Sequence, residues 1–366
     1  MFNNVYQGKR VFVTGHTGFK GSWLCEWLIG LGAEVTGFSL PLAKNQKLFE
    51  QLELEKRILS SVEGDIRDHS ALQNAISEAR PDFVFHLAAQ PLVRLSYREP
   101  ILTFKTNFDG TLNLLEALRT KSEPCIAVIV TTDKCYENRE WLNSYREEDA
   151  LGGRDPYSAS KACSEIVTHS YRRTFFDSES PVNVASARAG NVIGGGDWAE
   201  DRIVPDIVRA IRKTEPVVVR NCQATRPWQH VLEPLSGYLW LGAKMSTSRQ
   251  NNFATYDCFN FGPSLDSNQA VIELVRRMIC VMGGTWRDDS PKDQPHEASR
   301  LNLSIDKAFH VLGWSPLWDF DESIRETAEW YQVDLAGGDV LHKTKEQISN
   351  YCRAAVKRDL AWAKSE

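Results

Sequence analysis

The stretch Arg10-Val11-Phe12-Val13-Thr14-Gly15-His16-Thr17-Gly18-Phe19-Lys20-Gly21-Ser22 constrains the fold most, because it joins a short apolar strand to a helix through three spaced glycines. Gly15 permits the tight turn at the strand end, Gly18 leaves the backbone bare where a pyrophosphate approaches, and Gly21 lets the new helix lie close on the sheet. The free amides of the first helical turn then face the phosphates. The flanks agree: an apolar run precedes the motif, and Trp23-Leu24-Cys25-Glu26-Trp27-Leu28-Ile29 follows with helical spacing up to the breakers Gly30 and Gly32. The pattern predicts a dinucleotide cradle.

The chain goes on alternating apolar strands with helices. Glu34 to Leu40 reads as a second strand whose end lies beside the adenine ribose. Ser39, with Lys44 and Lys47 nearby, stands where many NAD-binding sheets place an acid, so this strand leaves NAD and NADP both open. Ser61 to Ile66 reads as a third strand. Asp65 in it has two readings, an adenine contact or a turn cap, and Asp68 is a helix N-cap. The run Pro81 to Gln90 ends in Leu87-Ala88-Ala89-Gln90, small enough to underlie a cofactor, and His86 within it reads as a hydrogen-bonded core residue. A helix over 103–118 carries Asn107, and Cys125 to Val130 is a further buried strand. Together these predict an α/β fold, a Rossmann-like doubly wound parallel sheet with a smaller C-terminal substrate-binding lobe.

The Cys125 to Val130 strand ends in Thr131-Thr132-Asp133-Lys134-Cys135-Tyr136, which brings hydroxyl, carboxylate and amine to the carboxyl edge of the sheet. Downstream, Asp155-Pro156-Tyr157-Ser158-Ala159-Ser160-Lys161 starts a helix with Tyr157 and Lys161 on one face. An ammonium near a phenol favours phenolate, which can take a proton from a sugar hydroxyl.

Bulk properties set the outer limits. With 366 residues the chain can bury a large core, and the expected division is a cofactor-binding domain over 1–190, a substrate lobe over 191–335 and a helical extension over 336–366. A formal charge of -5 excludes the basic excess of nucleic-acid binders, and no apolar run is long enough to span a bilayer, so neither nucleic acid nor membrane is an expected partner. Met1-Phe2-Asn3-Asn4 leads almost directly into the first strand with no signal sequence, and the expected location is cytoplasmic. The eight cysteines include no Cys-x-x-Cys pair, so neither a disulfide framework nor a metal site is expected.

Gly15, Gly18 and Gly21, Leu87-Ala88-Ala89, Asn107, Thr132 and the Tyr157/Lys161 pair together resemble the extended short-chain dehydrogenase/reductase family, in its nucleotide-sugar branch. The resemblance implies that Tyr157 is the base for hydride transfer, that Lys161 also holds the nicotinamide ribose and that Thr132 orients the sugar hydroxyl. It implies NAD as cofactor, held by the three glycines with Phe19, Lys20, Asp65, Ile66, Leu87, Ala88, Ala89, Gln90 and Asn107. In the sugar 4,6-dehydratases of this family an Asp-Glu pair follows the threonine. Asp133-Lys134 keeps the acid and replaces the glutamate, as in the subgroup acting on CDP-glucose, which Trp141 and the segments Gly152 to Ser158 and Gly190 to Trp198 also resemble.

On that resemblance Asp133 protonates the departing hydroxyl at carbon 6, and Lys134 is either the carbon-5 base or an electrostatic stabiliser. The nucleotide half falls to the later lobe, with Asn191, Arg202, Arg226 in Arg226-Pro227-Trp228-Gln229-His230-Val231, Asn260, His296 and Arg300 as candidates, Arg220 as a further cation and Arg94 near the sugar. A homodimer through the helices around Asn107 to Leu118 and Tyr157 to Tyr171 is implied as well. A nucleotide-sugar 4-epimerase is the rival enzyme, though it needs no acid for carbon 6. A cofactor-sensing regulator would be expected to lack Tyr157 or Lys161. Trp314, Trp318 and Trp330 are expected to pack the lobe, and 341–362 to form an appended surface helix.

Overall fold

The computed structural model describes residues 1–43, 47–247, 256–289 and 301–364, in which seven parallel strands make one central sheet. They are β1 (Arg10–Thr14), β2 (Glu34–Ser39), β3 (Ser60–Glu63), β4 (Phe83–His86), β5 (Cys125–Val130), β6 (Val182–Ala189) and a returning strand, Cys258–Phe261. Across the sheet the order is Cys258–Phe261, β6, β5, β4, β1, β2, β3. Succession therefore runs one way from β1 to β3 and the other way from β4 onward. The reversal opens a crevice at the carboxyl ends of β1 and β4, where ligands of such sheets bind.

The alternation of side chains along each strand builds two separate cores. Val11, Val13, Phe83, Phe85, Ile126 and Val128 pack on one face with Trp23 and Trp27 of the helix Phe19–Gly30. Phe12, Val84, Ala127 and Ile129 pack on the other with Leu72 and Ile76 of His69–Ala79 and Leu114, Leu115 and Leu118 of Gly110–Arg119. With both faces covered, β4 and β5 are buried at every position, which explains their unbroken apolar runs.

The expected helix over 103–118 is divided. Pro100–Phe104 passes into a π-type turn, Lys105–Asp109, before Gly110–Arg119 resumes. Two hydroxyls donate to the Asn107 carbonyl, Thr111 Oγ1 at 2.7 Å and Ser164 Oγ at 2.8 Å, and this competition accompanies the bulge. The helix Pro156–Thr174 begins as its sequence predicts: Asp155 accepts from the Ser158 amide at 3.0 Å, and Pro156 occupies the first turn.

After β6, three short strand pairs join Val192–Ile193 to Gln229–His230, Thr225–Pro227 to Asn268–Ala270, and Val217–Val219 to Trp286–Asp288. Trp314, Trp318 and Trp330 are buried there as packing residues. The carboxyl-terminal helix Val340–Lys357 is less of a surface appendage than expected. Tyr351 and Trp362 are fully buried, and the Trp362 ring stacks on Phe2 at 5.1 Å and on Tyr351 at 5.6 Å, tying the two ends of the chain together. Among the described residues no helix is long and apolar enough to cross a membrane.

Candidate active site

Backbone approach dictates the glycines at the crevice. Gly15 has φ +71, and a Cβ there would lie 2.8 Å from the Ala88 backbone. A Cβ on Gly21 would lie 2.1 Å from the Gly15 carbonyl oxygen, so the helix seats on the loop only without a side chain. Gly18 is the N-cap and lines the cleft. On the β4 side the Leu87 and Ala88 amides both donate to Thr14 Oγ1, at 3.2 Å each, while that hydroxyl bonds His86 Nδ1 at 2.7 Å. His86 is thus the core histidine its setting predicts.

A cleft of about 760 Å³ runs from this cradle into the later lobe. Phe19, Lys20 and Gly21 line it beside Gly15 and Gly18, and so do Asp65, Ile66, Leu87, Ala88, Ala89 and Gln90. Asp65 lines the cleft and accepts from the Arg67 amide at 2.9 Å, which is its turn-capping reading. Asn107 does not reach the cleft. Its amide is consumed by the Gln90 backbone, at 2.8 and 3.1 Å, and by Ser160 Oγ at 2.8 Å, so it braces Gln90 against the helix Pro156–Thr174.

Thr132, Asp133, Lys134, Tyr157 and Lys161 line the same cleft. Asp133 is 1% exposed. Its Oδ1 accepts from Thr132 Oγ1 at 3.0 Å and lies 3.8 Å from Lys134 Nζ, whereas Oδ2 has no partner among the described residues. That free oxygen faces Gly190, where a Cβ would come within 2.9 Å of it.

Burial pushes the Tyr157 phenol up to about 12, opposed by its hydrogen bond with Thr132. Burial lowers the Lys161 ammonium to about 8, with the Glu165 carboxylate pulling the other way. The sequence predicts that Lys161 depresses the phenol; instead its ammonium donates to the Val130 carbonyl at 3.3 Å, and desolvation governs Tyr157. Lys20 is lowered to about 7 by burial, then by Arg202 and Lys161.

In the later lobe Asn191, Arg202 and Arg226 line the cleft, as does Arg94 from the other wall. Arg202 is held by Asp197 at 2.8 Å, and Arg226 donates to the Thr225 carbonyl at 2.8 Å. Asp201, which sequence reasoning missed, accepts from both Arg94 at 3.3 Å and Arg220 at 3.0 Å across the mouth. Asn260 lies outside the cleft: its side chain accepts from Tyr136 and donates to the Tyr145 and Ser304 carbonyls, which leaves nothing for a ligand. His296 and Arg300, like Lys44, fall outside the described residues. No group of three His, Cys, Asp or Glu among the described residues could hold a metal ion.

A glycine cradle at the sheet's switch point, facing a Thr, Tyr and Lys cluster, defines an extended short-chain dehydrogenase/reductase. More narrowly, the chain belongs to the family of GDP-mannose 4,6 dehydratase, whose model matches residues 12–327. The CDP-glucose 4,6-dehydratase of Salmonella typhimurium is 45% identical over 360 residues, covering 97% of this chain and 99% of that protein. A probable dTDP-glucose 4,6-dehydratase of Sinorhizobium fredii is 27% identical, over 88% of this chain and 92% of that one. Among solved structures, the dTDP-glucose 4,6-dehydratase of Bacillus anthracis in complex with NAD matches with a TM-score of 0.72 and 22% identity, covering 90% of this chain and 99% of that one. A UDP-glucose 4-epimerase of Stenotrophomonas maltophila matches at 0.77 and 20%, covering 90% and 100%. At such identities these structures speak for the fold alone.

Proposed function

We infer that this protein is a CDP-glucose 4,6-dehydratase, a lyase that converts CDP-glucose to CDP-4-keto-6-deoxyglucose with the loss of one water. One observation supports elimination over epimerisation: the buried Asp133 carboxyl, with one oxygen unpartnered among the described residues, opens on the cleft that Tyr157 and Lys161 line. Epimerisation at carbon 4 has no use for such an acid. The choice of CDP-glucose rests on the likeness to the Salmonella enzyme.

The cradle fits NAD, since Gly15, Gly18 and Gly21 clear the backbone that a pyrophosphate must approach. Bound NAD would accept a hydride from carbon 4 and return it to carbon 6, and its nicotinamide charge favours phenolate. Tyr157, as the phenolate that the Lys161 ammonium favours, takes the proton of the carbon-4 hydroxyl, which Thr132 orients. The ketone at carbon 4 then acidifies the carbon-5 hydrogen. Asp133 donates a proton to the hydroxyl leaving carbon 6, and Lys134, beside it, takes the carbon-5 proton or balances the enolate while another group takes it; a proton then returns to carbon 5 as hydride reaches carbon 6. Arg226, Arg202 and Asn191 receive the nucleoside diphosphate. The working molecule is a homodimer, in keeping with Tyr97, Ile101 and Ile166 standing exposed on neighbouring helices.

The test is incubation of the protein and NAD with CDP-glucose, UDP-glucose or dTDP-glucose, followed by mass spectrometry. Loss of one water from CDP-glucose alone is expected. A 4-epimer of unchanged mass, or water loss from another nucleotide only, would overturn the assignment.

A further inference from the structure

Behind the cleft lies a chain of buried polar side chains that the chemistry above does not use. Glu165 follows Lys161 by one helical turn on the face that carries Tyr157, and it is 3% exposed. Its carboxylate accepts from Thr131 Oγ1, from Ser186 Oγ at 2.7 Å and from Arg188 Nη2 at 2.8 Å. Arg188, on β6 and equally buried, donates through Nη1 to the Tyr136 hydroxyl at 2.7 Å, and its guanidinium lies 4.9 Å over that ring. Tyr136 in turn donates to Asn260 Oδ1 at 2.7 Å. Glu165, Arg188 and Tyr136 are all absent from the cleft wall.

The ends of this chain matter. Thr131 immediately precedes Thr132, and Tyr136 closes the turn that holds Asp133, Lys134 and Cys135. The turn is therefore gripped at both ends by one ion pair, and that pair is rooted in the helix that bears Tyr157 and Lys161. We propose that Glu165, Arg188 and Tyr136 are positioning residues that fix Thr132, Asp133 and Lys134 in register with Tyr157 and Lys161. The proposal rests on the elimination chemistry assigned above to that turn. A surface clamp would be loosened by water and salt; this one is buried, and its members bond one another rather than solvent, with Arg188 Nε alone lacking a partner among the described residues. It also acts electrostatically, because Glu165 sustains the Lys161 proton against burial.

Tyr136→Phe is the cleanest probe, since it removes one hydroxyl at the Lys134 end of the turn and leaves the ring. Misplacement of reacting groups by about an ångström costs up to roughly 100-fold, so kcat should fall about 10- to 100-fold with KM held within about twofold. Reduced cofactor should accumulate during turnover, since elimination suffers more than oxidation, and the melting temperature should move little. An unchanged kcat, with or without a lowered melting temperature, would overturn the proposal; so would a rise in KM alone. Glu165→Gln gives an independent reading, because loss of the carboxylate charge shifts the alkaline limb of the kcat profile, set by Lys161, to lower pH. An unmoved limb counts against the proposal. Wild-type protein run alongside separates the two levels of inference. If it oxidises a sugar nucleotide without losing water, the dehydratase assignment falls by itself, and the positioning residues stand or fall on the same ratio of variant to wild-type kcat in that reaction.

Discussion

Asp133 is buried, with one carboxyl oxygen engaged by Thr132 and the other facing Gly190 without a partner among the described residues. Asp133→Asn preserves the shape and removes the transferable proton. General acid catalysis is worth about 100- to 10,000-fold, so water loss from CDP-glucose should slow by that factor, while oxidation at carbon 4, followed as reduced cofactor, persists. Water loss at the wild-type rate would remove Asp133 from the mechanism. The placement of Tyr157 and Lys161 on one helix face was legible because helical spacing alone puts them there. The inward turn of Asn107 and Asn260 was not. Their neighbours in sequence give no sign of the Gln90 backbone or the Tyr145 and Ser304 carbonyls that consume their amides. Glu165 was passed over although it continues the spacing of four from Lys161, because a charged residue in mid-helix ordinarily reads as solvated surface.

Among the elements, the helix Phe19–Gly30 lies directly against the glycine loop. Gly21→Ala would drive a methyl group to 2.1 Å from the Gly15 carbonyl, and neither the loop nor the helix can retreat without leaving the sheet. Overpacking of this kind costs about 1–3 kcal/mol, so NAD affinity should weaken roughly 5- to 150-fold in a calorimetric titration. Unaltered affinity would mean that the cradle does not hold the cofactor as described. Capping was readable in advance at Asp68, which accepts from the Ala71 amide three residues on, as its side-chain chemistry requires. The π-type turn at Lys105–Asp109 was not readable in advance, because half of what accompanies it comes from Ser164 on another helix.

At the scale of the whole molecule, three buried histidines make stability depend on pH. Burial lowers His16 to about 4 and His86 and His230 to about 3, so all three are neutral in the fold and become protonated below 6.5 only when the chain unfolds. The stability they contribute is present above pH 6.5 and is lost as pH falls towards 4 and below, on the order of 3 kcal/mol for His16 alone. Melting temperatures should therefore drop between pH 6.5 and 4, less steeply in His230→Asn, and a flat profile would contradict the burial of these rings. By itself the sequence determined the glycine turn, the two-sided strands, the caps and the Tyr157/Lys161 face, since each is settled by contacts within a few residues. Only the tertiary structure decided which polar groups open on the cleft and which are spent behind it. That choice depends on partners such as Tyr136 and Asn260, 124 residues apart in the chain and brought within 2.7 Å by the return of Cys258–Phe261 to the sheet.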